Sequence, residues 1–83
     1  MKYEVTLPQL TETMEEAVVT NWFKQVGDYV EKNEKLYEVE TDKATQEVES
    51  LDAGYLCSIH VQAGNEVSVG DVLAVLADSS DEC

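Results

Sequence analysis

Four kinds of side chain here have the chemistry to react: lysine amines, a single imidazole, two thiols and eighteen carboxylates. Among the lysines, Lys43 stands out by its setting between Asp42 and Ala44. An amine held in a tight turn beside a small residue protrudes in a fixed direction, which suits it to acylation by a modifying enzyme. The same residue also reads as a charge that blunts a sheet edge or pairs with Asp42 or Glu40, an effect worth under about 1 kcal/mol at a surface. His60, the only histidine, alternates with Ile59 and Val61 and reads as a surface or rim residue, not a general base. Cys57 and Cys83 lie 26 residues apart, and Cys83 ends a polar tail where order is not expected. Two free thiols and a reducing compartment are the expectation. Neither thiol has a base beside it, and no Gly-x-Ser-x-Gly elbow occurs. The carboxylates form no Asp-x-Asp-x-Asp-Gly loop and no Cys or His ligands are paired, so no metal site is expected. Glu12, Glu15, Glu16, Asp78, Asp81 and Glu82 read as a solvated acidic surface. The four glycines are dispersed and none opens a phosphate-binding helix. Autonomous catalysis is therefore not expected.

The elements around Lys43 are set by hydrophobic spacing. Tyr37, Val39 and Thr41 alternate with Glu38, Glu40 and Asp42, the pattern of a half-buried strand. Ala44, Gln46 and Val48 then alternate with Thr45, Glu47 and Glu49, so a second strand comes next and the two meet as a hairpin with Lys43 near its tip. The segments Val5 to Leu7, Val18 to Phe23, Tyr55 to Val61 and Val72 to Leu76 are short and β-branched, punctuated by glycines. No stretch carries a long 3.6-residue stripe, and Met14 to Val18 is too short for a core helix. The chain reads as all-β.

An internal repeat sharpens that reading. One gap-free offset of 37 pairs Gly27 with Gly64, Gln25 with Gln62, Val30 with Val67 and Leu36 with Leu73, and sets Asn33 against Gly70, both tolerant of a left-handed backbone. Two similar halves that bury each other's apolar faces predict a small two-sheet barrel or sandwich with a pseudo-dyad. The same register maps strand 36–42 onto 73–79 and strand 44–49 onto 7–12. The hairpin then corresponds to the paired termini, with Lys43 and the termini at opposite ends.

Composition bounds the partners. Eighty-three residues make one domain, and 43% hydrophobic residues suffice for one core. Five lysines, no arginine and a formal charge of −13 exclude nucleic acid and repel anionic membranes. No apolar run is long enough to span a bilayer, and the first residues lack the pattern of a signal peptide.

The segment Glu40-Thr41-Asp42-Lys43-Ala44 resembles the lipoylation motif of the lipoyl domains of 2-oxo acid dehydrogenase complexes. The resemblance extends over residues 3 to 77 through Leu7-Pro8, Thr13-Met14-Glu15-Glu16, Trp22, Gly27-Asp28-Tyr29-Val30, Leu36, Glu47-Val48-Glu49-Ser50, Gly54, Gly64 and Val69-Gly70. Ala17, Asn33 and Leu51 depart from the family pattern, none of them in the lysine turn. The resemblance implies a flattened barrel of two four-stranded antiparallel sheets with two-fold quasi-symmetry. It also implies lipoic acid in amide linkage on Lys43, with Asp42 and Ala44 flanking it in the turn. Biotinyl domains share that barrel, but their lysine usually lies between two methionines.

The function implied by the resemblance is that of a non-catalytic swinging-arm carrier within a longer dihydrolipoamide acyltransferase. In that family the lipoyl group accepts an acyl group from a thiamine-diphosphate 2-oxo acid or acetoin dehydrogenase component, delivers it to coenzyme A and is reoxidised by dihydrolipoyl dehydrogenase. The partners implied are that decarboxylase component, the acyltransferase catalytic domain, dihydrolipoyl dehydrogenase and a lipoate ligase or lipoyl transferase. Glu40, Asp42, Glu47 and Glu49 are the candidates for contact with a basic patch on the decarboxylase. The Thr13-Met14-Glu15 segment points towards a pyruvate or acetoin complex. The lipoyl domain is expected over 1–77, with 78–83 as the start of a flexible linker. The isolated domain is expected to be monomeric, in the cytoplasm or, in a eukaryote, the mitochondrial matrix. A biotin carrier and an unmodified acidic interaction domain are the alternatives.

Overall fold

The alternating window around Lys43 closes as a hairpin, and the rest of the chain folds around it. The computed structural model covers residues 1–83 and contains β1 (Lys2–Thr6), β2 (Glu16–Trp22), β3 (Tyr29–Val30), β4 (Lys35–Glu40), β5 (Thr45–Glu49), β6 (Gly54–Ile59), β7 (Glu66–Ser68) and β8 (Val72–Ala77), with a short 3-10 turn after them at Ser80–Glu82. Two four-stranded antiparallel sheets form, in the orders β1-β8-β6-β3 and β5-β4-β2-β7. The sheets face each other as a sandwich and no ladder joins them into a closed barrel.

Period-two patterning sets which face each strand buries. Val39, Leu36 and Tyr37 from β4, Ala17 and Val19 from β2, Leu56 from β6, and Leu73, Ala74 and Leu76 from β8 meet between the sheets in one core. Each fully buried leucine or valine contributes about 1.5–3 kcal/mol of transfer free energy. A bulge lets Leu36 and Tyr37 both face inward, between the pairings Lys35↔Glu49 and Tyr37↔Val48. β6 passes so close to β8 that a Cβ on Gly54 would stand 2.6 Å from the Ala77 carbonyl oxygen, so only glycine fits.

The pseudo-dyad is written in backbone hydrogen bonds. Gly27 N–H donates to the Leu56 carbonyl and Leu56 N–H to that of Asp28, while Gly64 N–H donates to Val19 and Val19 N–H to Asn65. These are the same two bonds displaced by the predicted offset of 37, and each half's turn grips the other half's long strand. Gly27 and Gly64 have φ near +99° and +98°, and Asn33 and Gly70 are likewise left-handed. The hairpin of β4 and β5 corresponds to the pairing of β1 with β8, as the repeat predicts.

One part of the mapping is corrected. Strand 44–49 corresponds to the stretch ending at Thr6, not to 7–12: Leu7 and Ser50 occupy equivalent places, with Leu7 bonded to Asp71 and Gly70, and Ser50 to Glu34 and Asn33. The connection from Leu7 to the equivalent point on β2 is six residues longer than that from Ser50 to β6, and those extra residues break the gap-free register.

β5 runs away from the Lys43 turn, and the chain passes through Ser50–Ala53 to Gly54, beside Ala77 at the end of β8. Lys2 pairs with Ala77. The chain ends therefore lie at the pole opposite Lys43, along a molecule with a long axis of 39 Å. Residues 78–83 are folded there. The expectation of two free thiols is also overturned, because Cys57 and Cys83 form a disulfide with Cα atoms 4.9 Å apart. β6 and β8 are adjacent, and the 3-10 turn after β8 reverses the chain alongside β6, a neighbourhood that a 26-residue sequence separation does not reveal.

Candidate functional site

The turn joining β4 to β5 is closed by Thr41. Its N–H donates to the Ala44 carbonyl at 2.9 Å, and its hydroxyl donates to the same oxygen at 3.1 Å. The hydroxyl oxygen also accepts from the N–H groups of Ala44 (3.3 Å) and Lys43 (3.4 Å). A single threonine thus holds both ends of the turn and satisfies its backbone donors without a glycine. Asp42, Lys43 and Ala44 are all exposed.

The ammonium of Lys43 takes part in no ion pair, whereas Lys24 pairs with Glu34 at 2.9 Å and Lys35 with Glu47 at 2.8 Å. Pairing of Lys43 with Asp42 or Glu40, the plain alternative for this residue, is not seen. The turn instead presents a free amine on a short, hydrogen-bonded support.

The six-residue extension between β1 and β2 comes to rest beside it. Thr11, Thr13, Met14 and Glu15 share with Thr41 and Lys43 a polar surface cleft of about 160 Å³. Met14 is buried and anchors this loop, and the Gln9 side-chain amide donates to the Glu12 and Met14 carbonyls. The loop makes the lysine pole unlike the opposite pole, although the halves are otherwise related by the dyad. Spacing alone does not reveal this neighbour; its only signal in the sequence is the run Thr13 to Glu16.

Carboxylates crowd the same sheet. Glu40 and Glu66 sit opposite Val18 from either side, and Glu16, two residues before Val18 on β2, lies opposite Ser68 of β7. Glu66, by charge and hydrogen bonding, pushes the Glu16 carboxyl above its ordinary range, and Asp42 adds to the repulsion. Glu38 and Glu47 face each other across β4 and β5, a like-charge pair relieved by separate partners: the Thr20 hydroxyl on Glu38 at 2.8 Å and Lys35 on Glu47. Of the four predicted recognition residues, Glu40 and Asp42 adjoin Lys43 at the tip. Glu47 and Glu49 extend down β5, and Glu47 is engaged by Lys35.

The remaining reactive side chains lie elsewhere. His60 is exposed and meets only the Ser58 hydroxyl, at 3.1 Å. No three His, Cys, Asp or Glu side chains converge as ligands for a metal ion. Chemically, the arrangement offers one accessible amine on a rigid tip amid negative charge.

A family model described as "Biotin-requiring enzyme" matches residues 3–76. Among curated proteins, the chain is 43% identical over 77 residues to the dihydrolipoyllysine-residue succinyltransferase component of the 2-oxoglutarate dehydrogenase complex of Staphylococcus saprophyticus, covering 93% of this chain and 18% of that protein. It is 41% identical over 83 residues to the dihydrolipoyllysine-residue acetyltransferase component of the pyruvate dehydrogenase complex of Zymomonas mobilis, covering 99% and 19%. The chain thus spans about a fifth of the length of these relatives. Among solved structures, the lipoyl domain of the 2-oxoglutarate dehydrogenase complex of Azotobacter vinelandii superposes with a TM-score of 0.72 at 28% identity, over 89% of this chain and 94% of that one. The urea carboxylase of Kluyveromyces lactis superposes at 0.76 over 93% of this chain and 6% of that one, with 21% identity, a likeness of fold.

Proposed function

Because the chain belongs to the biotin- and lipoyl-attachment family, matching it over nearly its whole length, we propose that Lys43 is the attachment point for a lipoyl group and that the domain is the carrier of a 2-oxo acid dehydrogenase complex. The observation that carries this reading is the turn itself: the lysine inside the family's motif stands exposed and unpaired on a tip locked by Thr41. Its side chain fits an amide-linked group, since no neighbour must be displaced for the amine to be acylated.

The residues of this chain divide the work simply. Lys43 Nζ holds the group. Thr41 fixes the direction in which it leaves the two-sheet body. The rigid two-sheet body keeps that direction constant while the chain moves among partners, raising the local concentration of the arm at each active site. When bound, a lipoyl group supplies the dithiolane for acyl transfer and two-electron redox chemistry, which no side chain at the tip can provide.

On this reading the partners are the decarboxylating 2-oxo acid dehydrogenase component, an acyltransferase catalytic domain, dihydrolipoyl dehydrogenase and the ligase or transferase that attaches lipoate. The compartment is the cytoplasm, or the mitochondrial matrix in a eukaryote. The acidic hairpin face supports recognition by a basic surface, with Glu40 and Asp42 at its centre. Replacing both with serine is expected to lower the rate of acylation by the decarboxylase about tenfold while lipoylation persists; equal rates would remove this face from recognition.

The cofactor is tested by offering the chain lipoate with a lipoate ligase, and separately biotin with a biotin ligase, and reading intact mass. One added lipoyl group and no biotinyl group is expected, since Asp42 and Ala44, not methionines, flank the lysine. A biotinyl adduct would make it a biotin carrier, and no adduct from either would leave an unmodified acidic domain.

A further inference from the structure

The pole opposite Lys43 holds a second reactive group that the carrier reading does not use. There the half-buried Cys57 of β6 is bonded to the exposed Cys83, closing the chain end onto the barrel. Everything else holding residues 78–83 is polar and solvent-facing. The Met1 ammonium pairs with Asp78 at 3.0 Å and with Glu82, and the Tyr3 hydroxyl donates to Asp78 at 2.8 Å. The Ser79 side chain accepts from the Asp81 N–H, and the 3-10 turn buries no residue. Exposed ion pairs of this kind hold a segment weakly. The covalent bond is its one strong tie.

We infer that the Cys57–Cys83 disulfide is a thiol–disulfide exchange site that sets where the folded domain ends: at Cys83 when oxidised, and at Ala77 when reduced. β8 does not depend on the bond, because Leu76 and Ala77 are buried and its ladders to β1 and β6 run over residues 2–77, with one backbone bond, from the Asp78 N–H to the Met1 carbonyl at 3.1 Å, reaching into the tail. Reduction converts residues 78–83 from a latched turn into a mobile linker and leaves the barrel standing. The inference does not require Lys43 to be modified.

The reductant class is a dithiol. One thiolate of the reagent attacks Sγ of Cys83, the more exposed sulfur; the S–S bond breaks, and Cys57 leaves as a thiolate and takes up a proton. The second thiol of the reagent attacks the mixed disulfide, closes a cyclic disulfide and releases Cys83, which takes up the other proton. Two electrons and two protons pass from the dithiol to the protein. Charge selects among reagents: with a net −13 on the chain, and Asp78, Asp81 and Glu82 in the latched segment, a thiol that carries carboxylates besides its attacking thiolate is repelled more than one that does not.

The oxidised full chain is treated with dithiothreitol, a neutral dithiol, and with glutathione, an anionic monothiol. Free thiols are read by alkylation and intact mass, and each segment by its amide resonances. Reduction by dithiothreitol without unfolding is expected, with residues 78–83 moving to random-coil shifts while residues 2–77 keep theirs. The rate with glutathione should rise about threefold from low to physiological salt, and that with dithiothreitol by a smaller factor, because its attacking thiolate carries one negative charge fewer. Reduced, alkylated chain and the Cys83→Ser variant should give the same spectrum as each other. Tail resonances that stay folded after reduction, a bond that dithiothreitol leaves intact under native conditions, loss of the barrel in the alkylated chain, or equal salt responses would each overturn the inference.

Discussion

Tyr37 and Lys43 stand six residues apart on one hairpin and meet opposite fates. Lys43 is exposed and unpaired; Tyr37 is almost wholly buried, with its ring 5.2 Å from that of Trp22 and no partner for its hydroxyl. Burial alone pushes the Tyr37 phenol far above the ordinary tyrosine range, so it stays neutral throughout the working pH range. The neighbouring indole N–H, by contrast, donates to the Val61 carbonyl at 2.9 Å. An unsatisfied buried hydroxyl costs about 1–3 kcal/mol, and phenylalanine fills the same space without it. Tyr37→Phe is therefore expected to raise the thermal midpoint by about 4–8 °C, the shift that about 1 kcal/mol produces in a domain of this size. A lowered midpoint would show that the hydroxyl is satisfied in solution. The inward direction of Tyr37 was legible from alternation with Glu38 and Glu40, but its orphaned hydroxyl was not, because hydrogen bonding across the core depends on which residues the other sheet supplies.

At the scale of elements, the hairpin and the repeat were readable because both are periodic: alternation marks the strands around Lys43, and the offset of 37 reappears bond for bond in the turns at Gly27 and Gly64. The features that escaped are aperiodic. The longer connection from Leu7 to β2 has no counterpart in the other half, so the offset could not place β1 or show that this loop packs beside Lys43. The folded end at residues 78–83 escaped for a related reason, since polar composition says nothing about a disulfide between adjacent strands. The charges at that end have a defined pH window. Hydrogen bonds to Glu82 and Asp78 raise the Met1 ammonium, so its contribution is complete below the ordinary amino-terminal value and is lost as pH rises through its folded value. The Tyr3 hydroxyl and then the ammonium hold the Asp78 carboxyl below its usual range, so that contribution is lost as pH falls through the lowered value. In the oxidised chain, the amide shifts of residues 78–82 are expected to hold steady between about pH 4 and pH 8 and to drift outside those limits. Drift beginning near neutrality would show that these pairs do not form.

At the scale of the whole molecule, the two poles are built differently. The dyad gives each half the same strand plan, but at one pole the chain continues through a tight turn carrying Lys43, and at the other the corresponding strands carry the chain ends. A group on Lys43 therefore projects away from anything joined beyond β8, the geometry a carrier needs to serve other active sites. A net charge of −13 repels polyanions and favours contact with basic surfaces. Above all, the proposed function requires the fold to single out one amine in five. Lys24 and Lys35 are held by glutamates, while Lys2 and Lys32 share the exposure of Lys43; Lys2 lies on β1, and Lys32 in a turn closed between Glu31 and Glu34, without the threonine that locks the Lys43 tip. The direct measurement is fragmentation mass spectrometry of the chain after reaction with lipoate and a ligase, locating the adduct among the five lysines. All of the lipoyl group on Lys43, and none in the Lys43→Arg variant, is the predicted result; an adduct on Lys2 or Lys32, or one that persists in the variant, would contradict that selectivity.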